Sequence, residues 1–184
     1  YNKNKLDYLC KNLNKNNFSF ISTGSTGSEI KKLGFKCQDV SKITGHKEIF
    51  DGRIKTISPK IFSSILYIRD NKKHAKEFTF LKVPNIEMVI VNLYPFKKYF
   101  NSSNKKKAIE MIDIGGTSLI RAASKNYKFI TTICNISDYQ KLISNLNKNN
   151  GETDVKFRKR MAKKTFKLTS EYDKLIFEWF NENK

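Results

Sequence analysis

Residues 87–93 constrain the fold more than any other segment, because they include the apolar run Met88-Val89-Ile90-Val91. A strand that is apolar on both faces must be covered on both faces, as the central strands of parallel sheets are. Tyr94-Pro95 ends this run. Further strands are predicted at residues 18–22, 35–40 and 129–134.

Helical patterns lie between these strands. The apolar residues from Leu6 to Leu13 occur at helical spacing and predict an amphipathic helix over residues 5–15. Residues 23–27 predict a tight loop before a short helix that Gly34 ends. Ser137 is expected to cap the helix after the last strand. Strands that alternate with helices predict a doubly wound α/β sheet, with a ligand site at the carboxyl ends of the strands.

The C-terminal part of the chain has a different pattern. From Gly151 onward it predicts helix alone, and one face carries an apolar stripe. The stripe is interpreted as core or interface packing and comprises Leu168, Tyr172, Leu175, Ile176, Trp179 and Phe180.

The composition excludes several classes of protein. At 184 residues the chain is expected to form one domain, and no apolar run approaches the roughly 18 residues of a membrane span. Three cysteines, far apart and without a C-x-x-C pair, argue against a disulfide framework and a zinc site and favour a reducing compartment. The chain opens at Tyr1 without an initiator methionine, so a fragment is expected.

The formal net charge of +19 raises the question of nucleic-acid binding. However, the lysines are spread through every segment together with asparagine and isoleucine, as on solvated surfaces. Basic charge alone gives only weak, salt-sensitive binding. A specific nucleic-acid partner is therefore not expected.

Three segments carry residue types suited to a phosphorylated ligand. Residues 23–27 supply hydroxyls and glycines between a strand and a helix, where backbone N–H groups can surround a phosphate; a plain turn is the alternative. Residues 51–56 place two cations and a hydroxyl around a turn, which is either a second phosphate or carboxylate contact or a solvated turn. In residues 112–116, Asp113 precedes a helix that opens on glycines, where it is a cap or a catalytic base.

The ordered blocks together resemble the IMP cyclohydrolase domain of the bifunctional AICAR transformylase/IMP cyclohydrolase family. The blocks are residues 21–26, Asp39-Val40-Ser41 with Thr44-Gly45, residues 51–56, Asn92-Leu93-Tyr94-Pro95-Phe96, Ile112-Asp113-Ile114-Gly115-Gly116, and residues 121–126. The resemblance implies a methylglyoxal-synthase-like fold, a three-layer α/β/α sandwich with a mainly parallel sheet and a helical extension over about residues 151–184. It also implies ring closure of 5-formamidoimidazole-4-carboxamide ribotide to IMP, with no cofactor and no metal.

The resemblance also implies which residues surround the substrate, and the chemistry of ring closure leads to a hypothesis for their roles. Asp113 would accept the carboxamide proton, Lys125 and Tyr94 would stabilise or protonate the formyl oxygen, and Lys55 would orient these groups. The residues expected to bind substrate are Lys3, Thr23, Gly24, Ser25, Thr26, Arg53, Thr56, Asn92, Ile114 and Gly115.

Departures from the family pattern surround the phosphate. The family's opening strand would lie before Tyr1, and of the phosphate turn that follows it only residues 2–5 remain in register, so part of the phosphate site is expected to be missing or altered. The transformylase domain, normally fused C-terminally, is expected to be absent. A cytoplasmic location and a possible homodimer complete these expectations. The alternatives left open are methylglyoxal synthase, a nucleotide- or phosphate-sensing regulatory module of the same fold, and a basic nucleic-acid binder.

Overall fold

The computed structural model describes residues 2–183, and short strands alternate with helices along them. The strands are β1 (Phe20–Ser22), β2 (Cys37–Asp39), β3 (Met88–Ile90) and β4 (Thr131–Ile133). The helices are α1 (Leu6–Lys15), α2 (Gly24–Lys32), α3 (Val40–Thr44), α4 (Pro59–Leu66), α5 (Lys72–Leu81), α6 (Lys105–Glu110), α7 (Ile114–Lys125), α8 (Tyr139–Lys148) and α9 (Val155–Glu182). Short 3-10 helices occupy Phe96–Tyr99 and Ile136–Asp138.

The strands pair in parallel, as predicted. In the described part of the chain, β1 pairs with β2 and β3 pairs with β4, so the strands form two short parallel pairs. The register places Met88 opposite Thr131 and Ile90 opposite Ile133. Each strand is shorter than the segment predicted for it, because each regular ladder covers only three residues on each side.

The apolar run at β3 is covered on both faces. Met88 and Ile90 pack against one hydrophobic cluster, which includes residues of α1, α8 and the start of α9. Val89 is buried in a second cluster, formed with residues of α3, α4 and α7. Side chains alternate between the two faces of a strand, so β3 lies between two layers of helices. The α/β class and its helix-covered parallel strands are therefore confirmed.

Two local predictions are wrong. The residues after Thr23 do not form a loop, because helix α2 begins at Gly24. Gly24 has a positive φ of 49°, so the chain turns from strand to helix within one residue. Ser137 does not cap a helix: the side chain of Asn135 accepts the Ser137 N–H and caps the 3-10 helix, and α8 follows directly.

The C-terminal helix α9 packs along the domain as predicted, and its start is fixed by a capping carboxylate. The Oδ1 atom of Asp154 accepts the Phe157 N–H at 2.7 Å. Tyr172 and Trp179 are buried and contact the ring of Phe96 edge to face. Phe180 departs from the predicted stripe, since 53% of it is exposed. Over residues 2–183, no helix has the length and apolar character needed to cross a membrane.

Candidate functional site

The first part of the site lies where β1 ends and α2 begins. Thr23 is extended, and Gly24 starts the helix, so the first N–H groups of α2 have no partner within the helix. Ser25 and Thr26 belong to this first turn; Ser25 is exposed and Thr26 half-buried. The amino end of a helix attracts anions through these N–H groups and the helix dipole. The phosphate site predicted at residues 23–27 is therefore the amino end of helix α2, which we call the cradle.

A cleft of about 300 Å³ opens beside this helix end. One of the residues that line it, Asp39, caps α3 by accepting the Ser41 N–H at 2.8 Å. Hydrogen bonds from Ser41 hold the pKa of Asp39 below its ordinary value. The residues that line the cleft are Thr23, Gly24, Asp39, Val40, Ser41, His46, Lys47, Glu48 and Lys55.

Residues 46–57 form a strap along this cleft. An antiparallel bridge between Ile49 and Ile54 closes the strap, and its turn has positive φ at Phe50, Asp51 and Gly52. The strap carries Lys55, and the Nζ atom of Lys55 lies 4.0 Å from where a Cβ atom on Gly24 would be. The strap therefore places a cation over the amino end of α2.

Two carboxylates form ion pairs with cations of the strap, one with Lys55 and one with Arg53. Lys55 Nζ lies 2.8 Å from Glu48 Oε2, and the Lys55 side chain is 33% exposed. Arg53 forms an ion pair with Glu110 at the end of α6. Arg53 and Glu110 line a second, wider cleft of about 510 Å³ with the exposed ring of Phe50. Arg53 is thus held away from the cradle, while Lys55 faces it.

The second part of the site is the amino end of α7, where Asp113 occupies the capping position. Asp113 Oδ1 accepts the Gly116 N–H at 2.6 Å, and Oδ2 accepts the Tyr94 N–H at 3.3 Å. Both carboxylate oxygens are therefore held by backbone groups, from the helix itself and from the segment after β3. Tyr94 and Ile114 flank this carboxylate and are 41% and 59% exposed.

The two parts of the site meet at residues 55 and 56. Thr56 follows Lys55 directly, and Thr56 Oγ1 lies 3.4 Å from where a Cβ atom on Gly115 would be. Lys55 thus approaches the amino end of α2 while its neighbour contacts the amino end of α7. The predicted residues of the strap, α2 and α7 come together on one side of the parallel strands, at their carboxyl ends.

Asn92 and Lys3 lie near the end of β3. The Nδ2 atom of Asn92 donates to the Asn2 carbonyl and to the Tyr139 hydroxyl, both at 3.1 Å. The N-terminal segment that contains half-buried Lys3 therefore passes beside this strand end. Burial raises the pKa of Tyr139, which keeps its hydroxyl protonated near neutral pH.

Lys125 is not brought to the other predicted residues. It is the last residue of α7 and is exposed, whereas Asp113 caps the first turn of the same helix. At 1.5 Å per residue, the twelve residues of α7 separate the two ends by about 18 Å. Asn126, which follows Lys125, donates to the carbonyls of Ile65 and Tyr67 and so fixes this end beside the end of α4.

The family-model comparison identifies the fold family. The model of the MGS-like domain matches residues 5–118, which is more than half of the chain.

The chain belongs to the MGS-like domain family.

The model of the AICARFT/IMPCHase bienzyme matches residues 123–184, which include α8 and α9.

Known proteins with similar sequences match nearly the whole of this MGS-like domain. It is 40% identical over 184 residues to the bifunctional purine biosynthesis protein PurH of Clostridium acetobutylicum, covering 100% of this chain and 37% of that protein. It is 39% identical over 180 residues to PurH of Bradyrhizobium diazoefficiens, covering 97% of this chain and 34% of that protein. The chain thus spans about a third of the length of these relatives.

A solved structure has the same fold as this MGS-like domain. The crystal structure of ForH superposes with a TM-score of 0.88 at 22% identity, covering 98% of this chain and 93% of that chain. At this level of identity the likeness shows the fold alone.

The sequence of this MGS-like domain did not reveal several residues of the site. Glu48 and Glu110 look like ordinary surface carboxylates, and only the structure pairs them with Lys55 and Arg53. The role of Gly116 was also hidden, because a Cβ atom there would meet the Asp113 carboxylate at 2.6 Å. A glycine three residues after a capping Asp was the one available signal. In the described part of the chain, no His, Cys, Asp and Glu side chains gather into a metal-binding group.

Proposed function

We propose that the chain is an IMP cyclohydrolase, which closes the ring of 5-formamidoimidazole-4-carboxamide ribotide to form IMP and water in purine biosynthesis. One observation carries the proposal: the neighbours Lys55 and Thr56 approach the amino ends of α2 and α7. Two helix ends therefore flank one site, as a nucleotide with a phosphate at one end and a base at the other requires. The similarity to PurH, a purine biosynthesis protein, supports this reaction.

The phosphate would bind at the amino end of α2. The N–H groups of the first turn, the hydroxyls of Ser25 and Thr26, and Lys55 supply donors for its oxygens. Arg53 would join them only after it leaves Glu110, because that carboxylate now holds its guanidinium. The strap cations thus provide charge for a dianion at the cradle.

The base would lie at the amino end of α7, beside Asp113, Tyr94 and Ile114. In the reaction, the carboxamide nitrogen attacks the formyl carbon, and Asp113 accepts the proton that this nitrogen loses. The Tyr94 hydroxyl gives a proton to the formyl oxygen. The formamido nitrogen then returns its proton to Tyr94, and the C–O bond breaks as a C–N double bond forms. The former formyl oxygen takes the proton from Asp113 and leaves as water, so both side chains regain their starting protonation states. No electrons are transferred, so the step needs no redox cofactor.

Positioning would supply much of the acceleration. An amide nitrogen is a poor nucleophile, and holding the two groups in contact replaces an encounter that is otherwise rare. Asn92 would contact the base from the end of β3, and Lys3 would reach the substrate from the N-terminal segment that Asn92 holds. Lys125 receives no chemical role in its own chain, because about 18 Å of helix separate it from Asp113.

A second candidate is a regulatory module that binds a phosphorylated nucleotide without chemistry. The position of Lys125 favours it, because a family residue expected at the reacting groups lies at the far end of α7. The two candidates share the cradle and differ in turnover. Measuring binding and product formation on the same protein separates them.

The direct test is to mix the purified chain with 5-formamidoimidazole-4-carboxamide ribotide and to follow IMP formation by absorbance. Ring closure is expected for the unmodified chain and is expected to be lost in Asp113→Asn, which keeps the shape of the side chain. Asp70→Asn is the matched control, because Asp70 is exposed and lies in the loop after α4. It should leave the rate unchanged.

The result also decides between the candidates. Nucleotide binding without product by the unmodified chain would leave the regulatory module as the function. Product formation that survives in Asp113→Asn would remove Asp113 from the reaction.

A further inference from the structure

The hydroxyl of Tyr172, on helix α9, contacts the backbone just before α7. It accepts the N–H of Asp113 at 2.9 Å and donates to the carbonyl of Met111 at 3.1 Å. Tyr172 is buried, with 9% of its surface exposed. Burial raises the pKa of Tyr172, so the proton that it gives to Met111 stays on the hydroxyl at neutral and mildly alkaline pH.

The Tyr172 hydroxyl provides a hydrogen-bond acceptor for the Asp113 N–H, which has no acceptor within helix α7. The N–H of a capping residue lies outside the helical ladder and needs a partner from elsewhere. Asp113 has an extended conformation, with φ of −81° and ψ of 101°. The φ angle is the rotation about the N–Cα bond, so it sets the direction of the Cα–Cβ bond relative to the N–H bond. A partner that fixes the N–H therefore also fixes the origin of the carboxylate.

The ring of Tyr172 contacts the other segment that holds this carboxylate. Its centroid lies 6.3 Å from that of Phe96, in an edge-to-face arrangement. Phe96 is buried and follows Tyr94 by two residues, and the Tyr94 N–H is the donor to Asp113 Oδ2. One side chain of α9 thus packs against the segment after β3 and hydrogen bonds to the segment before α7.

We propose that Tyr172 is a positioning residue for the Asp113 carboxylate. Its hydroxyl fixes the backbone of residues 111–113, and its ring supports the segment that carries Tyr94, so that both oxygens of Asp113 keep their geometry. Tyr172 does not reach the substrate and acts only through Asp113. The inference rests on the proposed ring closure for its effect on rate, but the contact itself can be measured separately.

The test compares two variants in α9. Tyr172→Phe removes only the hydroxyl and leaves an aromatic ring against Phe96. Trp179→Phe is the matched control: it changes another buried ring on Phe96, and in the described part of the chain Trp179 Nε1 has no hydrogen-bond partner to lose. Amide hydrogen exchange, followed by NMR on ¹⁵N-labelled protein, reports on Asp113 and Gly116. Steady-state kinetics report kcat and KM, and thermal unfolding reports the fold.

In Tyr172→Phe we expect faster exchange at Asp113 and Gly116 and a kcat about tenfold to 100-fold lower, with KM within about twofold, as for a small misplacement of a reacting group. Trp179→Phe should keep both exchange rates and kcat. Unchanged exchange, or an unchanged kcat despite faster exchange, would overturn the inference. If the unmodified chain closes no ring, the proposed function fails, and the exchange rates alone decide whether Tyr172 holds Asp113.

Discussion

A Cβ atom on Gly116 would lie 2.6 Å from Oδ2 and 2.8 Å from Oδ1 of Asp113, so the carboxylate fills the space that any other side chain at position 116 needs. Gly116→Ala should displace the carboxylate from its cap. The lost cap costs about 1 kcal/mol, and alanine in the helix offsets it by up to about 1 kcal/mol. We therefore expect little change in stability and a kcat about tenfold to 100-fold lower.

Ser118→Ala is the control for that variant. Ser118 lies in the same helix, and its hydroxyl donates only to the Ile114 carbonyl among the described residues. Ser118→Ala should have nearly the same free energy of unfolding in urea and nearly the same kcat for ring closure as the unmodified chain. If Gly116→Ala retained full kcat, the position of the carboxylate would not matter for the reaction.

Because Lys55 is paired with Glu48, two variants can separate the effect of the Lys55 charge on ligand binding from the effect of the ion pair. Lys55→Gln should weaken IMP binding roughly tenfold to 100-fold, the range for a charged hydrogen bond of about 1.5–3 kcal/mol. Glu48→Gln breaks the same ion pair but keeps the cation at the cradle, so it should not weaken binding. Isothermal titration calorimetry with IMP measures both affinities.

Stability provides the internal check for these two variants. The side chains of Lys55 and Glu48 are 33% and 56% exposed, so their pair contributes at most about 1 kcal/mol. Both variants should unfold within that margin of the unmodified chain. Equal losses of affinity in the two variants would mean that the ion pair itself, and not the Lys55 charge, is needed.

The fold was predictable where the local pattern decides the structure. The apolar run at Met88 fixes the place of its strand, because a strand that is apolar on both faces must be buried on both faces. The extent of helix α2 was not predictable. Residues 23–27 have the composition of a loop, yet α2 places Gly27 so near β1 that a Cβ atom on it would lie 3.6 Å from the Cβ atom of Ser22, a proximity that only the folded chain provides.

The site was predictable in its parts and not in its arrangement. Motifs identified Lys55, Tyr94 and Asp113, but their distances depend on segments far apart in sequence. The pair of Arg53 with Glu110 joins residues 57 positions apart, and Tyr172 meets Asp113 across 59 positions. Conversely, Lys125 is close to Asp113 in sequence and remote in space, because a helix of twelve residues is rigid.

The buried carboxylate of Asp138 should make stability depend strongly on Lys164. Asp138 is 2% exposed, and Lys164 Nζ lies 2.6 Å from its Oδ1, with Lys141 at 3.6 Å. Lys164→Met leaves a buried charge with a weaker partner and should cost about 2 kcal/mol, less than a fully buried pair because Lys141 remains. Asp138→Asn removes the charge and should cost less. Urea unfolding at pH 7 gives both values, and the reverse order would contradict the argument.

The cap of α9 should make stability depend on pH. Hydrogen bonds from Asn145 and the Phe157 N–H lower the pKa of Asp154 in the folded chain. A lowered folded pKa stabilises the fold above the unfolded value, about 3.9, and this contribution is lost as pH falls through the folded pKa. Asp154→Ser keeps a capping oxygen that does not titrate. In urea unfolding, the difference in free energy of unfolding between the unmodified chain and Asp154→Ser should shrink from pH 7 to pH 3. A difference that stays constant with pH would show that Asp154 is not a source of the pH dependence.

The position of Lys125 allows a test of whether one chain is sufficient for the reaction. Lys125→Ala should keep kcat within about twofold, because about 18 Å of helix separate this lysine from Asp113. Lys128→Ala, at another exposed lysine, is the control. A large loss of kcat in Lys125→Ala alone would mean that the lysine serves the site of another copy. Mixing Lys125→Ala with Asp113→Asn would then restore part of the rate, since some pairs would contain one site with both residues intact, whereas a monomeric enzyme would show no such recovery.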